Sequence, residues 1–149
     1  MFTMNIREWE RAYREQARNL ATKFFENLKN EKILGVRCKH CGKIYIPPFS
    51  VCSCGSKDLE EVFVSGEGYI ETFTICFERM EGYPEPPFIL ALIRLDNSEV
   101  VFPHIVIGVD LSDINSAIRI VRVGARVRAV FKKERKGSLL DIEGFRLIE

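Results

Sequence analysis

Four of the chain's five cysteines fall within one short stretch, VRCKHCGKIYIPPFSVCSCGS, from Val36 to Ser56. Cys38 and Cys41 are separated by two residues, Cys52 and Cys54 by one, and ten residues lie between the pairs. No other feature constrains the fold as strongly. Zinc takes sulfur and nitrogen ligands tetrahedrally, and two ligand pairs on tight turns bring four thiolates together without a large core. Gly42 and Gly55 each follow the second cysteine of a pair, where a positive-φ turn lets backbone amides point at sulfur. A closed four-cysteine site has no open position for water or substrate. Cys38, Cys41, Cys52 and Cys54 are therefore expected to hold a structural Zn2+. The C-x-C half is shorter than a usual knuckle, and His40, inside the first turn, is the alternative to one of the thiolates. No thioredoxin-like βαβ pattern surrounds the C-x-x-C, which disfavours a redox role. The fifth cysteine, Cys76, lies inside an apolar strand and reads as a small buried hydrophobe.

The rest of the chain divides into three blocks around this stretch. Residues 1–31 form an N-terminal helical segment without Gly or Pro, in which Trp9, Tyr13, Leu20, Phe24, Phe25 and Leu28 recur at helical spacings. Thr3 or Asn5 is expected to cap it. One helix of about 25 residues and two shorter ones bending near Ala17 to Thr22 both satisfy the pattern. Trp9 and Tyr13 are expected to pack on the rest of the chain, with a partner-docking face as the alternative. Residues 32–62 form the cysteine block, with short strands in ILGVRC and KIYI. Residues 63–149 read as β: Val62–Val64, Gly68–Phe77, Phe88–Leu95, Val100–Ile107, Arg126–Lys132 and Ser138–Leu147, with a short helix in DLSDINSA. Such a run suits a small closed barrel, and the five-stranded OB-fold is the natural candidate. FILALIRL is apolar on both faces, so its outer face needs a cover, and the N-terminal block is the first choice.

The charge balance is near neutral, with a formal net charge of +1. The N-terminus, MFTMNIREWERAYREQ, is charged and amphipathic and lacks the apolar core of a signal peptide. No apolar run approaches the roughly 20 residues of a membrane span. The expected location is the cytoplasm, where paired cysteines are metal ligands more often than disulfides. Motifs for catalysis are missing: no G-x-S-x-G, no dinucleotide fingerprint and no P-loop. His104 reads as a hydrogen-bonded strand histidine, and Gly66 to Glu71 as a bulge or hairpin entry. Residues 119–137 carry eight Lys or Arg against one Glu. Arg126 and Arg128 alternate with Val127 and Ala129 and so share one strand face. They are the candidates for contacting the phosphates of coenzyme A or an acidic surface. Nucleic acid is the competing reading, because many OB-folds bind single strands. Phe131, the only aromatic in the stretch, falls on the opposite face, which disfavours it.

Taken in order, FFENLKNEKILGVRC, the ribbon C-x-x-C-G-x-x-Y-I-P-P with its second cysteine pair and Gly55-Ser56, VSGEGYIETFT, the apolar strand after Pro-Pro, and VGARVRAVF resemble a known family. These are the zinc-ribbon plus OB-fold proteins described as acyl-CoA-associated. The second pair departs from the family's C-x-x-C, being Cys52-Ser53-Cys54. The resemblance implies a mainly β protein with an N-terminal α segment, a rubredoxin-like zinc ribbon and an OB-fold barrel. It implies a non-catalytic accessory subunit like the archaeal one that bridges acetoacetyl-CoA thiolase and hydroxymethylglutaryl-CoA synthase. Its expected partners are a thiolase-type enzyme, hydroxymethylglutaryl-CoA synthase and the acyl-CoA that such a complex encloses. The alternative is a single-stranded nucleic-acid-binding module, and a free-standing acyl-CoA enzyme is the third option.

Overall fold

The computed structural model describes residues 5–148. The N-terminal block folds as two helices, α1 (Ile6–Ala17) and α2 (Asn19–Leu28). The Asn5 side chain caps α1 by accepting the Glu8 N–H at 3.1 Å. Thr3, the other candidate cap, lies outside the described residues. The break comes at Arg18, whose φ is +47°. A non-glycine residue in that region is disfavoured, so tertiary packing must compensate. It redirects the chain so that both apolar stripes are buried. Ile6 and Tyr13 face the core from α1, and Ala21, Phe24, Phe25 and Leu28 from α2. The first helix packs on β6 (Phe102–Ile107), the second on β1 (Ile33–Cys38), and both touch the 3-10 turn Leu139–Asp141.

A three-stranded sheet in the order β2-β1-β3 carries the cysteine block, with β2 at Ile44–Tyr45 and β3 at Leu59–Val64. Pro47 and Pro48 end β2 because proline has no N–H for the ladder. The other strands close a barrel in the order β4-β5-β6-β8-β7. They are β4 (Glu67–Cys76), β5 (Phe88–Leu95), β6, β7 (Arg126–Phe131) and β8 (Ile142–Leu147). The parallel pairing of β6 with β8 closes it. A bulge between Ile70 and Thr72 bends β4, so that this ten-residue strand can pair with β5 along its length and with β7 at its start. The barrel is filled by Ile70, Ile89, Ile93, Leu95, Phe102, Val127 and Phe145, all almost fully buried.

The expected short helix forms as α3 (Ile114–Ile120), capped by Asp113, which accepts the N–H groups of Asn115 and Ser116. The last strand begins at Ile142 rather than Ser138, because Ser138 caps the 3-10 turn by accepting the Leu140 N–H. β5 is buried along both faces except at Arg94. Its cover comes from the N-terminal block and its contacts: Tyr83 stacks on Phe88 at 5.5 Å and accepts the Ile6 N–H at 2.9 Å. Leu90 and Ile105 share one buried cluster with Ile6, Tyr13 and Phe24. Trp9 and Tyr13 thus pack internally, Trp9 against Phe102 at 6.2 Å. No helix among the described residues is long and apolar enough to cross a membrane.

Candidate metal centre and the basic face

Cys38 ends β1, where its own N–H bonds the Lys43 carbonyl at 2.8 Å and its carbonyl receives the Gly42 N–H at 2.8 Å. That tight turn carries Cys41. A second turn repeats the arrangement: Gly55 N–H reaches Cys52 O at 2.8 Å, and Cys52 N–H reaches Ser56 O at 2.9 Å. Gly42 and Gly55 sit at φ +83° and +92°, the region that glycine enters without a Cβ clash.

The four sulfurs Cys38, Cys41, Cys52 and Cys54 all lie within 4.8 Å of one another. The Cys38–Cys54 separation is 3.8 Å and the Cys41–Cys52 separation 3.4 Å. Tetrahedral bonds of about 2.3 Å to zinc require sulfurs about 3.8 Å apart. The donor set therefore fits that ion, and the one-residue spacing of Cys52 and Cys54 does not prevent convergence. His40 is exposed and stands outside the group.

The surroundings favour thiolate at Cys38 and Cys52. The backbone N–H of Cys41 holds the Cys38 thiol below its ordinary value. Cys52 is lowered to about 6, first by the Cys54 backbone N–H and then by the Tyr45 hydroxyl, which lies 3.4 Å from its sulfur. Cys41 moves the other way, to about 11: the Lys43 N–H lowers it, but Cys52, burial and the other thiols outweigh that pull. Sequence reasoning missed Tyr45. Its oxygen also accepts the Ser53 N–H at 2.9 Å, tying β2 to the second turn. The hint was its place in the ribbon motif C-x-x-C-G-x-x-Y-I-P-P, on the strand after Cys41.

The basic strand is internally neutralised. Arg126 grips Asp96 with both terminal nitrogens, at 2.5 and 2.8 Å, and lies 3.7 Å from Glu67. That bidentate bond holds the Asp96 carboxyl below its usual range. Arg128 bonds Glu67 at 3.0 Å through one nitrogen. Beside them Arg94 bonds Glu71 at 2.9 Å. A shallow depression of about 650 Å³ over this face is lined by Tyr69, Glu71, Arg94, Asp96 and Arg126 among others. Arg135 is a strut, donating to the Lys29 carbonyl at 2.7 Å and pairing with Glu31 at 3.3 Å. Arg7, Lys132 and Lys136 line a separate cleft of about 460 Å³ between α1 and the β7–β8 connection.

His104 is fully buried, its Nδ1 accepting the Ile105 N–H and its Nε2 3.0 Å from the Leu139 carbonyl. Burial lowers it to about 4. With both nitrogens engaged and no solvent access, it has no geometry for proton exchange with a substrate. Gly66 and Gly68 serve packing: a Cβ at Gly66 would strike Ala129, and one at Gly68 the backbone of Arg94 and Leu95. Cys76 is half-buried at the end of β4, and burial raises its thiol.

Residues 25–60 match the family description "ChsH2, rubredoxin-like zinc ribbon domain", and residues 61–132 match "ChsH2, C-terminal OB-fold domain". Two curated relatives are DUF35 domain-containing scaffold proteins. The one from Methanocaldococcus jannaschii is 29% identical over 104 residues, 68% of each chain. The one from Pyrococcus furiosus is 28% identical over 99 residues, 65% of this chain and 71% of its own. A crystal structure of a DUF35-family protein of unknown function from Sulfolobus solfataricus superposes with a TM-score of 0.65 at 27% identity, over 95% of this chain and 92% of that one. The Ltp2-ChsH2(DUF35) aldolase shares the fold, with a TM-score of 0.60 at 20% identity over 84% and 91% of the chains.

Proposed function

We propose, from the premise that this chain belongs to the zinc-ribbon plus OB-fold family of the ChsH2 and DUF35 type, that it is a non-catalytic scaffold subunit of an acyl-CoA-processing complex. The observation that carries this reading is its similarity to two relatives named as scaffold proteins. The geometry supports it. The candidate arginines are bonded to carboxylates, and the one barrel histidine is sealed from solvent.

In this reading residues 1–31, 32–62 and 63–149 act as clamp, metal-braced knuckle and barrel. Cys38, Cys41, Cys52 and Cys54 are the zinc ligands. When bound, the ion supplies cross-linking of the two turns, because four thiolates fill its coordination sphere. The Tyr45 hydroxyl and the Cys41 and Cys54 amides orient and stabilise the thiolates. The chain bridges a thiolase-type enzyme and hydroxymethylglutaryl-CoA synthase in the cytoplasm and helps enclose the coenzyme A arm. Arg126 and Arg128 contact the phosphates in that enclosure by exchanging their carboxylate partners for phosphate oxygens. Arg128 is the better placed, since it engages Glu67 through Nη2 alone.

The test is an affinity pull-down of the tagged chain from its own cell extract, with mass spectrometry and metal analysis of the eluate. One zinc per chain and a co-eluting thiolase-type enzyme are expected, with Arg128→Gln lowering coenzyme A affinity of that complex by about tenfold. An eluate containing nucleic acid and no acyl-CoA enzyme overturns the reading.

A further inference from the structure

Six large hydrophobic side chains are exposed among the described residues, and three of them fall within six residues of chain. Ile118, Ile120 and Val123 are 46%, 53% and 66% exposed. They occupy the last turn of α3 and the connection into β7. The local fold forces them outward. Ala117 and Val121 are buried at 1% and 0% and pin the segment to the barrel. Gly124, at φ +88°, then turns the chain. A groove of about 330 Å³ opens beside Ile120, lined also by Arg122, Ala125, Arg126 and Leu147.

The rim of this patch is positive, and two of its four arginines have no carboxylate partner among the described residues. From Ile118 to Arg128 the sequence has four arginines and no Asp or Glu. Asp96 and Glu67 engage Arg126 and Arg128. Arg119 and Arg122 are exposed, and no carboxylate among the described residues pairs with them. An aliphatic centre with a groove and a one-sign rim is the layout of a protein contact, in which apolar anchors desolvate and flanking charges set the register.

We propose that the Ile118–Val123 turn docks a partner-protein segment that presents an apolar anchor flanked by Asp or Glu. The anchor fills the groove beside Ile120, and the carboxylates pair with Arg119 and Arg122. The inference rests on the scaffold reading for the existence of a partner and deepens it by naming the grip. Charge complementarity selects the occupant. A two-fold dimer centred on this patch would set Arg119 and Arg122 against their own equivalents. Single-stranded nucleic acid needs aromatic platforms, and the patch has none. The helix INSAIRI has no Trp, Phe or Leu, the residues that seat an amphipathic lipid-surface anchor.

The experiment uses the full tagged chain expressed in its own cells with a photo-cross-linking residue at position 120, and at Phe63 as a control on a different element. Ile120→Asp and Arg119→Glu/Arg122→Glu are compared with the parent. The expected result is a cross-link from position 120, absent from the control, to one segment with an apolar residue among carboxylates. Recovery of that partner falls at least about tenfold in both variants, while thermal midpoint and zinc content hold, because the altered side chains are exposed. Unchanged recovery in both variants overturns the proposal. So does a cross-link to a second copy, or parent binding to phosphatidylglycerol vesicles that Arg119→Glu/Arg122→Glu abolishes. An acyl-CoA enzyme recovered equally with every variant sinks this inference alone. A cross-linked acidic segment on a protein unrelated to acyl-CoA keeps the docking site and removes the proposed function.

Discussion

At the scale of single residues, His104 shows how burial converts a reactive group into a structural one. Its imidazole is neutral because burial penalises the charged form, and its value falls from 6.5 to about 4. The unfolded chain therefore binds a proton between these values that the folded chain refuses. The contribution is complete above about pH 6.5 and is lost as pH falls towards 4, reaching about 3 kcal/mol. Chemical denaturation at a series of pH values should show this loss in the parent. In His104→Gln the slope between pH 6.5 and 4 should flatten, although the variant is less stable at neutral pH. An unchanged slope would mean that other groups set the acid sensitivity. His104 and Tyr45 share a lesson about legibility. Each residue type was visible, but its role depends on a partner supplied by another part of the chain. Leu139 lies 35 residues from His104.

At the scale of elements, the N-terminal helices are anchored by aromatic packing and by a few buried or half-buried hydrogen bonds to distant loops. Tyr13 packs edge-on against Phe24, Phe25 and Phe49. Its hydroxyl donates to the Pro48 carbonyl at 2.6 Å, coupling α1 to the end of the cysteine block. Glu10 completes the clamp by accepting from Ser138 Oγ and Leu139 N at 2.9 and 2.7 Å. Tyr13→Phe keeps the ring and strands the carbonyl, so it should lower unfolding free energy by about 1–3 kcal/mol. A denaturant midpoint equal to the parent's would show that water replaces the hydroxyl. Periodicity revealed the helical segment but left one helix and two equally open. The decision at Arg18 is tertiary, because neither glycine nor proline marks the break.

At the scale of the whole molecule, two cores of different origin are joined. The barrel and helices share a large apolar cluster, while Val36, Cys38, Tyr45 and Cys52 form a small separate one around the thiols. Ile46 belongs to the large cluster, and its backbone N–H is held by Ser98 Oγ at 3.1 Å. With so little apolar area of its own, the knuckle depends on metal for its folding free energy. Chelation, or Cys38→Ser, should release rapid hydrogen exchange across residues 38–58 while β5 and β6 stay protected. A Cys38→Ser variant that melts like the parent and keeps its full metal content would remove Cys38 from the ligand set.

The sequence by itself determined the composition of the metal site and the class of the fold. Cysteine spacing and a run of punctuated strands are local signals, and local signals survive without coordinates. The OB-fold expectation followed from strand number and turn residues in the same way. Tertiary structure alone decided which charges are free. Arg126 and Arg128 look like an open basic strand when read in line, yet Asp96 and Glu67 reach them across barrel closure from 30 and 61 residues away. Arg119 and Arg122, in the same basic run, are left without such partners among the described residues. Ion pairing depends on distances of a few ångströms between strands, and one-dimensional order contains no such distances until the barrel closes.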